Sequence, residues 1–145
     1  MVARHASPLE ALLVDERFDG EINPFEPMSR HTTYRIGGPA RYFARVHSVG
    51  ALARVLEACK AMGEKWYIVG RGSNLLVADE GVDAAVIVLG RDFRSMRYDE
   101  EKSRLMLGAG VPLSAAVQEA FRRSLAGKGV FVAVRGLERA GQRAL

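Results

Sequence analysis

The 145-residue chain is predicted to form an α+β fold. Three observations predict this class. Apolar residues recur at helical spacing in three segments, apolar runs of strand length lie between those segments, and glycine or proline residues separate the two patterns. Nearly half of the residues (48%) are apolar and about a quarter (26%) are charged, so the composition is that of a globular chain that can bury a core.

The first predicted element is a short helix near the N-terminus. Ser7 can act as its N-cap, Pro8 suits the first helical position, and Glu10 stands where a capping box needs an acidic side chain. Asp19-Gly20 can end this helix. Its apolar side is formed by three leucines, Leu9, Leu12 and Leu13.

An extended connector and the first strands follow this helix. The dipeptides Asn23-Pro24 and Glu26-Pro27 favour extended backbone and indicate a connector. Beyond it, Tyr34-Arg35-Ile36 leads to a break at Gly37-Gly38-Pro39, and a second strand is predicted over residues 41–46.

The second predicted helix begins after Ser48, a suitable N-cap, and ends near Gly63, which suits the C′ position. We interpret its apolar stripe as core packing, and the stripe consists of Val49, Leu52, Ala53, Leu56 and Cys59. Cys59 is the only cysteine in the sequence. We expect a buried thiol in a reducing compartment rather than a nucleophile.

The segment after this helix is the most informative in the chain. Residues 66–69 form a predicted strand that enters Gly70-Arg71-Gly72-Ser73-Asn74, and Leu75-Leu76-Val77 is predicted to form a strand that leaves it. The glycines let the backbone take positive φ and approach a ligand, so that peptide N–H groups can converge on an anion. A following strand excludes the dinucleotide fingerprint and the P-loop, which both need a helix there. The alternative is a tight turn in a buried hairpin.

A further strand, a hairpin and a helix are predicted in the next part. Residues 84–89 are a continuous apolar run, typical of a strand buried on both faces. Residues 95–98 and 104–107 form a predicted hairpin around a polar turn. Gly108-Ala109-Gly110 ends the hairpin and is a second place where backbone can approach a ligand. A helix then opens at Val111-Pro112, with an apolar stripe of Leu113, Ala116, Val117, Ala120 and Phe121.

The net charge of +4 does not predict a nucleic-acid binder. Residues 127–145 hold four basic residues and one acid, which leaves 17 basic and 16 acidic residues in the rest of the chain. A nucleic-acid module normally carries its positive charge on the folded face that contacts phosphate. No apolar stretch approaches the roughly 20 residues that a membrane helix needs, and no secretory signal is read. The three histidines lack metal-ligand spacing, so no metal site is predicted.

Three segments in this order resemble the UDP-N-acetylenolpyruvoylglucosamine reductase family. They are the run from Thr32 to Ala40 (TTYRIGGPA), the run from Gly70 to Val77 with Asp79 and Gly81, and Gly108-Ala109-Gly110 before an amphipathic helix. The first run is specific to the reductases, whereas Gly-x-Gly-Ser-Asn is shared with other flavin oxidases. The resemblance covers roughly residues 28–126.

The resemblance implies the first α/β subdomain of a PCMH-type FAD-binding domain, with FAD held between two subdomains. Residues 70–74 would surround the FAD pyrophosphate. The residues expected to bind the cofactor are Tyr34, Arg35, Gly70, Arg71, Gly72, Ser73, Asn74, Leu75, Gly108, Ala109 and Gly110. Alternatives stay open: either arginine can be a surface or salt-bridged residue, and residues 108–110 can be only a strand-to-helix turn.

The resemblance also implies a two-step reaction. NADPH reduces the flavin, which then reduces the enolpyruvyl group of a UDP-sugar with the help of a serine, an arginine and a glutamate. No residue of this sequence matches those three, so no catalytic residue is assigned. We divide the chain into an N-terminal helix and connector (1–27), part of an FAD-binding domain truncated before its second subdomain and the substrate domain (28–126), and a divergent basic tail (127–145).

Two functional hypotheses follow from this division. The first is the FAD-binding portion of a cytoplasmic NADPH-dependent reductase of peptidoglycan synthesis, inactive by itself. The second is a non-catalytic FAD-binding module that acts with a separate polypeptide.

Overall fold

A four-stranded mixed sheet organises the first part of the chain. The structure is a computed structural model in which residues 7–73 and 75–125 are described. These residues fall into two units, one ending at Phe93 and the other beginning at Arg94. The sheet of the first unit has the strand order β1-β2-β4-β3, with β1 at Gly20–Pro27, β2 at Pro39–Val46, β3 at Trp66–Val69 and β4 at Val82–Leu89.

The strand directions bring three chain segments to one edge of the sheet. Strand β1 is antiparallel to β2, whereas β2, β4 and β3 are mutually parallel. In this register Arg45 is the partner of Val88, and Val88 is the partner of Val69. The carboxyl ends of β2, β4 and β3 therefore lie together, and the chain leaves β3 directly into Gly70.

Each face of the sheet is covered by a separate apolar cluster. Helices α1 (Pro8–Leu13) and α2 (Val49–Met62) contribute Leu9, Val55 and other residues to a core with the strand residues Tyr42, Ala44, Val46, Ala85, Ile87 and Leu89. A second cluster lies on the other face of the sheet. It contains the strand residues Ala40, Phe43 and Val86 together with Met28 and Val77 from outside the strands. Strand β4 is buried on both faces, as its continuous apolar run predicts.

The N-terminal helix confirms its predicted cap but ends earlier than predicted. Ser7 and Glu10 form the complete capping box, and Pro8 is the first helical residue. The helix ends at Leu13 and not near Asp19-Gly20, because Gly20 already begins β1. A Cβ at Gly20 would collide with the carbonyl oxygen of Arg45, so the close strand pairing requires glycine there.

Strand β1 replaces the extended connector that the prolines indicated, so that prediction was wrong. Pro24 and Pro27 are both paired with residues of β2. A proline cannot donate a ladder hydrogen bond, but an edge strand tolerates it because one side of the strand has no partner. Strand β1 is one of the two edge strands of this sheet, so both prolines are compatible with it.

Helix α2 has the predicted ends, and its predicted stripe is confirmed in part. Ser48 accepts from the amide of Ala51, and Gly63 ends the helix in the left-handed conformation with φ +66°. Of the predicted stripe, Cys59 is buried and Leu52 and Leu56 are partly buried against the same core, whereas Val49 is 70% exposed and Ala53 is also exposed. The prediction missed the buried residues Ala51, Val55 and Ala58, of which the small alanines allow close packing of the helix on the sheet.

The predicted strand after Asn74 is absent from the described part of the chain. Residues 75–78 have no regular structure, and strands β3 and β4 are parallel, so the glycine-rich bend is not the turn of a hairpin. The segment docks on another loop instead: the Gly38 amide donates to the Ala78 carbonyl at 2.9 Å, and a Cβ at Gly37 (φ +123°) would lie 2.7 Å from that of Val77. The segment Tyr34-Arg35-Ile36 is not a strand either: Tyr34 lies in a turn, and residues 35–36 have no regular structure.

The second unit contains the predicted hairpin and helix. Strands β5 (Met96–Asp99) and β6 (Arg104–Leu107) are antiparallel, and helix α3 spans Leu113–Arg122 after Pro112 at its N-cap. Of the predicted apolar stripe only Ala116 is buried, and the large side chains Leu113, Val117 and Phe121 are exposed. None of the described helices is long and apolar enough to span a membrane.

Candidate cofactor-binding site

A cavity of about 300 Å³ opens where the parallel strands end. It is lined by Arg30, His31, Thr32, Thr33, Arg45, Gly70, Arg71 and Val88. Arg45 and Val88 are the second-to-last residues of β2 and β4, and Gly70 follows β3. In open sheets of parallel strands, ligands bind outside the carboxyl ends of the strands. The location alone therefore makes this cavity the candidate binding site of the first unit.

The glycine loop, which we define as Gly70 to Ser73, offers hydrogen-bond donors beside the cavity. Within residues 7–73 and 75–125, the amides of these four residues donate to no backbone carbonyl. Gly72 is buried, and buried backbone donors normally have partners, whereas Gly70, Arg71 and Ser73 are exposed, so their amides are open to water or to a ligand. Four consecutive amides of this kind, two of them on residues that line the cavity, suit a phosphate or diphosphate.

The two glycines of this loop have different structural roles. Gly72 is buried with φ +69°, and a Cβ added there would lie 2.1 Å from the carbonyl oxygen of His31. Its own carbonyl accepts from the Thr33 amide at 3.2 Å. Gly70 is exposed, and a Cβ there would meet no atom within 4 Å. Gly72 therefore docks the loop on residues 31–33, while Gly70 leaves space on the open side.

Residues 31–33 are themselves held firmly. The His31 ring stacks on Phe43 with 3.9 Å between ring centroids and 17° between planes, and its Nε2 lies 3.1 Å from Oε1 of Glu26. Thr32 is a buried polar residue whose hydroxyl donates to the Ile36 carbonyl at 2.9 Å. The glycine loop thus rests on a segment that is fixed to the sheet through Phe43 and to β1 through Glu26.

The cavity lining is electropositive. The described residues that line it include three arginines, Arg30, Arg45 and Arg71, and no carboxylate. Arg30 pairs with Glu26 at 3.5 Å, whereas among the described residues neither Arg45 nor Arg71 has a carboxylate within 4 Å. Guanidinium groups bind phosphate oxygens with charge-assisted, often bidentate hydrogen bonds. The arrangement suits an anionic ligand.

Two other features bear on chemistry. Burial raises the pKa of the Cys59 thiol to about 11 in α2, so this cysteine is protonated at neutral pH, as a buried structural thiol should be. In the part of the chain that the structure describes, no group of three or more histidine, cysteine or acidic side chains is placed to hold a metal ion.

The structure brings some of the predicted binding residues together. Gly70 and Arg71 line the cavity, Gly72 and Ser73 continue the same loop, and Leu75 is partly buried against the second apolar cluster. Asn74 and the tail 127–145 lie outside the described residues. Tyr34 and Arg35 do not line this cavity, and Gly108, Ala109 and Gly110 belong to the second unit.

The predicted residues outside the cavity lie in two turns. Tyr34 and Arg35 are exposed in a turn closed by the Arg35 amide, which donates to the Thr32 carbonyl at 3.2 Å, and Arg35 has φ +53°. In the second unit, the Val111 amide donates to the Gly108 carbonyl at 3.0 Å, so residues 108–111 form a turn. Their contact with a cofactor stays a prediction.

Sequence reasoning did not single out His31, Arg45 and Val88 as site residues. Arg45 has a recognisable signal, because it is the one charged residue within an otherwise apolar run from Tyr42 to Val46. A charged residue at a half-buried position near the end of a parallel strand is a candidate ligand contact. His31 and Val88 carry no such signal, since their places depend on the strand register and on the docking of distant loops.

The chain is similar to known flavin-binding proteins. A family model described as "FAD binding domain" matches residues 40–132. A UDP-N-acetylenolpyruvoylglucosamine reductase of Heliobacterium modesticaldum is 46% identical over 110 residues, which are 76% of this chain and 34% of that protein. Reductase 2 of Symbiobacterium thermophilum is 38% identical over 125 residues, 86% of this chain and 40% of its own length. The chain spans roughly a third of the length of these relatives.

Solved structures show the same relation. The UDP-N-acetylenolpyruvylglucosamine reductase of Thermus caldophilus is 32% identical with a TM-score of 0.53, over 72% of this chain and 34% of that one. The flavoenzyme CrmK of caerulomycin biosynthesis is 17% identical with a TM-score of 0.55, over 72% of this chain and 22% of that one, and supports the fold alone. The predicted α+β, PCMH-type class and the cofactor FAD are thereby confirmed. The chain belongs to the FAD-binding domain family and, as its motifs predicted, resembles the FAD-binding part of the UDP-N-acetylenolpyruvoylglucosamine reductases.

Proposed function

We propose that this chain holds FAD as the FAD-binding portion of an NADPH-dependent reductase that converts UDP-N-acetylenolpyruvoylglucosamine to UDP-N-acetylmuramate in peptidoglycan synthesis. The observation that carries the proposal is the set of four amides, from Gly70 to Ser73, that donate to no described backbone carbonyl beside an arginine-lined cavity. The names of the similar proteins support the reaction, and the family supports the cofactor.

The residues of this chain would act by binding and positioning. The amides from Gly70 to Ser73 would donate to the diphosphate oxygens, and Arg71 would add a charge-assisted bond. His31 and Gly72 would hold the loop in place through the contacts that they make in the structure. Bound FAD supplies hydride transfer in this proposal. Tyr34, Arg35, Asn74, Leu75, Gly108, Ala109 and Gly110 stand as further proposed contacts.

Cofactor binding without turnover is the activity that we propose for the chain alone. Hydride transfer needs donor and acceptor held about 3–3.5 Å apart in a site closed to water. The serine, arginine and glutamate that the resemblance assigns to catalysis match no residue here. NADPH and the UDP-sugar are therefore proposed partners of a longer protein. We place this function in the cytoplasm, which fits the buried free thiol of Cys59.

Titration of the purified 145-residue chain with FAD tests the proposal. We expect saturable quenching of flavin fluorescence and no NADPH consumption. Gly70→Ala should fold normally, because its Cβ meets no protein atom within 4 Å, yet bind FAD about tenfold or more weakly, because the methyl group occupies the open side of the loop. Gly50→Ala, equally unobstructed but in α2, is the matched control.

Three results would contradict the proposal. Absence of saturable FAD binding by the wild-type chain would remove the proposed cofactor site. Equal FAD affinity of Gly70→Ala and Gly50→Ala would place the cofactor elsewhere. Steady NADPH consumption by the chain alone would refute the claim that it binds without turnover.

A further inference from the structure

We propose that Arg45 of strand β2 binds the cofactor diphosphate from the sheet, opposite the glycine loop. This inference rests on the proposed FAD binding and extends it. Arg45 lies outside the glycine loop and outside the TTYRIGGPA segment, so neither sequence landmark includes it.

The strand register places Arg45 at the site. Arg45 is paired with Val88, which is paired with Val69, the residue that leads into Gly70. Partners in register share one face of a sheet, so Arg45 and Val69 lie on the same face two strands apart, about 10 Å. Arg45 and Gly70 line the same cavity. An anion held by the loop amides therefore lies between the loop and the arginine.

Arg45 forms no ion pair with a described residue. It is half-buried, and no described carboxylate comes within 4 Å of its guanidinium, although Glu21 stands directly opposite it in the β1–β2 register. Arg41, on the same strand, pairs with both Glu64 at 3.3 Å and Asp83. A guanidinium is always charged, and removing it from water without a partner is unfavourable. An anion in the cavity would supply the missing partner.

The size and polarity of the cavity favour the diphosphate over other parts of FAD. Its volume of about 300 Å³ is at the lower end of the range for ligand pockets, so it admits a part of a dinucleotide and not the whole. Among the described residues, three arginines, two threonines and one histidine line it, and Val88 is the one aliphatic side chain among them. Such a lining suits phosphate groups better than an aromatic ring system.

The test compares FAD affinity in four variants of the full chain. Arg45→Gln removes the charge, Arg45→Lys keeps the charge but not the planar fork, and Arg41→Gln is the matched control on the same strand. We expect Arg45→Gln to weaken FAD binding by about tenfold or more, Arg45→Lys by less, and Arg41→Gln not at all. Salt should weaken binding to the wild type more than to Arg45→Gln, because one charged contact is gone. Glu21→Gln is the fourth variant.

The outcomes separate this proposal from the function on which it rests. If the wild type binds FAD and Arg45→Gln binds it equally well, Arg45 is no ligand and the inference is wrong, while the proposed function stands. If the wild type binds no FAD, both fail. Arg45→Gln and Glu21→Gln could also lower the thermal midpoint by the same amount and change FAD affinity alike. In that case Arg45 forms a structural pair with Glu21 and does not contact the cofactor, and the inference is again overturned. Unchanged FAD affinity in Glu21→Gln supports it.

Discussion

Replacing Gly72 by alanine should destabilise the first unit, because the loop docks through a position that has no room for a side chain. Gly72 has φ +69°, a conformation that costs an L-residue about 1–2 kcal/mol. The added Cβ would lie 2.1 Å from the His31 carbonyl oxygen, and relieving such overpacking typically costs about 1–3 kcal/mol. We therefore expect the free energy of unfolding to fall by about 2–5 kcal/mol, a large part of the total stability of a small domain.

Urea unfolding monitored by the single tryptophan, Trp66 in β3, measures this change directly. Gly70→Ala is the internal control, because Gly70 has neither a positive φ nor an atom within 4 Å of the added Cβ. Its stability should be unchanged or higher by up to about 1 kcal/mol, since alanine restricts the unfolded chain. If Gly72→Ala unfolds at the same urea concentration as Gly70→Ala, the docking of the loop on His31 is incorrect.

Two further predictions concern the helices. Ser7→Ala removes one half of the capping box of α1 and should lower the free energy of unfolding by about 1 kcal/mol, measured by urea unfolding; an unchanged value would show that the cap is not formed in solution. The pKa of Cys59 is raised to about 11 from an ordinary value of 9.0, so the folded state keeps the proton that the unfolded state loses first. The contribution of the protonated thiol to the free energy of unfolding is therefore complete below about pH 9 and is lost as the pH rises to about 11. The difference in stability between the wild type and Cys59→Ala should shrink over that range. A constant difference would contradict the buried, protonated thiol.

The parts of the fold that sequence reasoning predicted are those fixed by neighbouring residues. The capping box of Ser7 and Glu10 involves residues three positions apart, and Gly63 ends α2 through its own φ. Strand β1 could not be predicted from neighbouring residues. Its prolines look like a connector, and only pairing with β2, almost twenty residues further along the chain, makes the segment a strand.

The missing strand after the glycine loop has the same explanation. Leu75-Leu76-Val77 has the composition of a strand, yet Val77 belongs to the second apolar cluster and the neighbouring Ala78 accepts from Gly38. A contact with a distant loop overrides the local preference. The stripe of α2 was predicted in part: Leu52, Leu56 and Cys59 contact the core as predicted. The buried Ala51 and Ala58 were missed, because the sequence pattern does not show how closely the helix packs on the sheet.

The residues of the candidate site that belong to a sequence motif were predicted. Those that reach the site only through strand register or the docking of a distant segment were missed. Gly70 and Arg71 stand in a recognisable run and line the cavity. Arg45 and His31 reach the same cavity through strand pairing and through stacking on Phe43, neither of which is written in the order of residues. Arg35, which the resemblance put forward, lies in the exposed turn after Thr32, and its contact with the cofactor stays a prediction.

Amide NMR of the chain during FAD titration tests the central claim, that the peptide N–H groups of the glycine loop hold the diphosphate. The account predicts large, saturable shifts for the amides of Gly70, Arg71, Gly72 and Ser73, with the side-chain signal of Arg45 responding in parallel. Saturable FAD binding that leaves these four amides unshifted would contradict it.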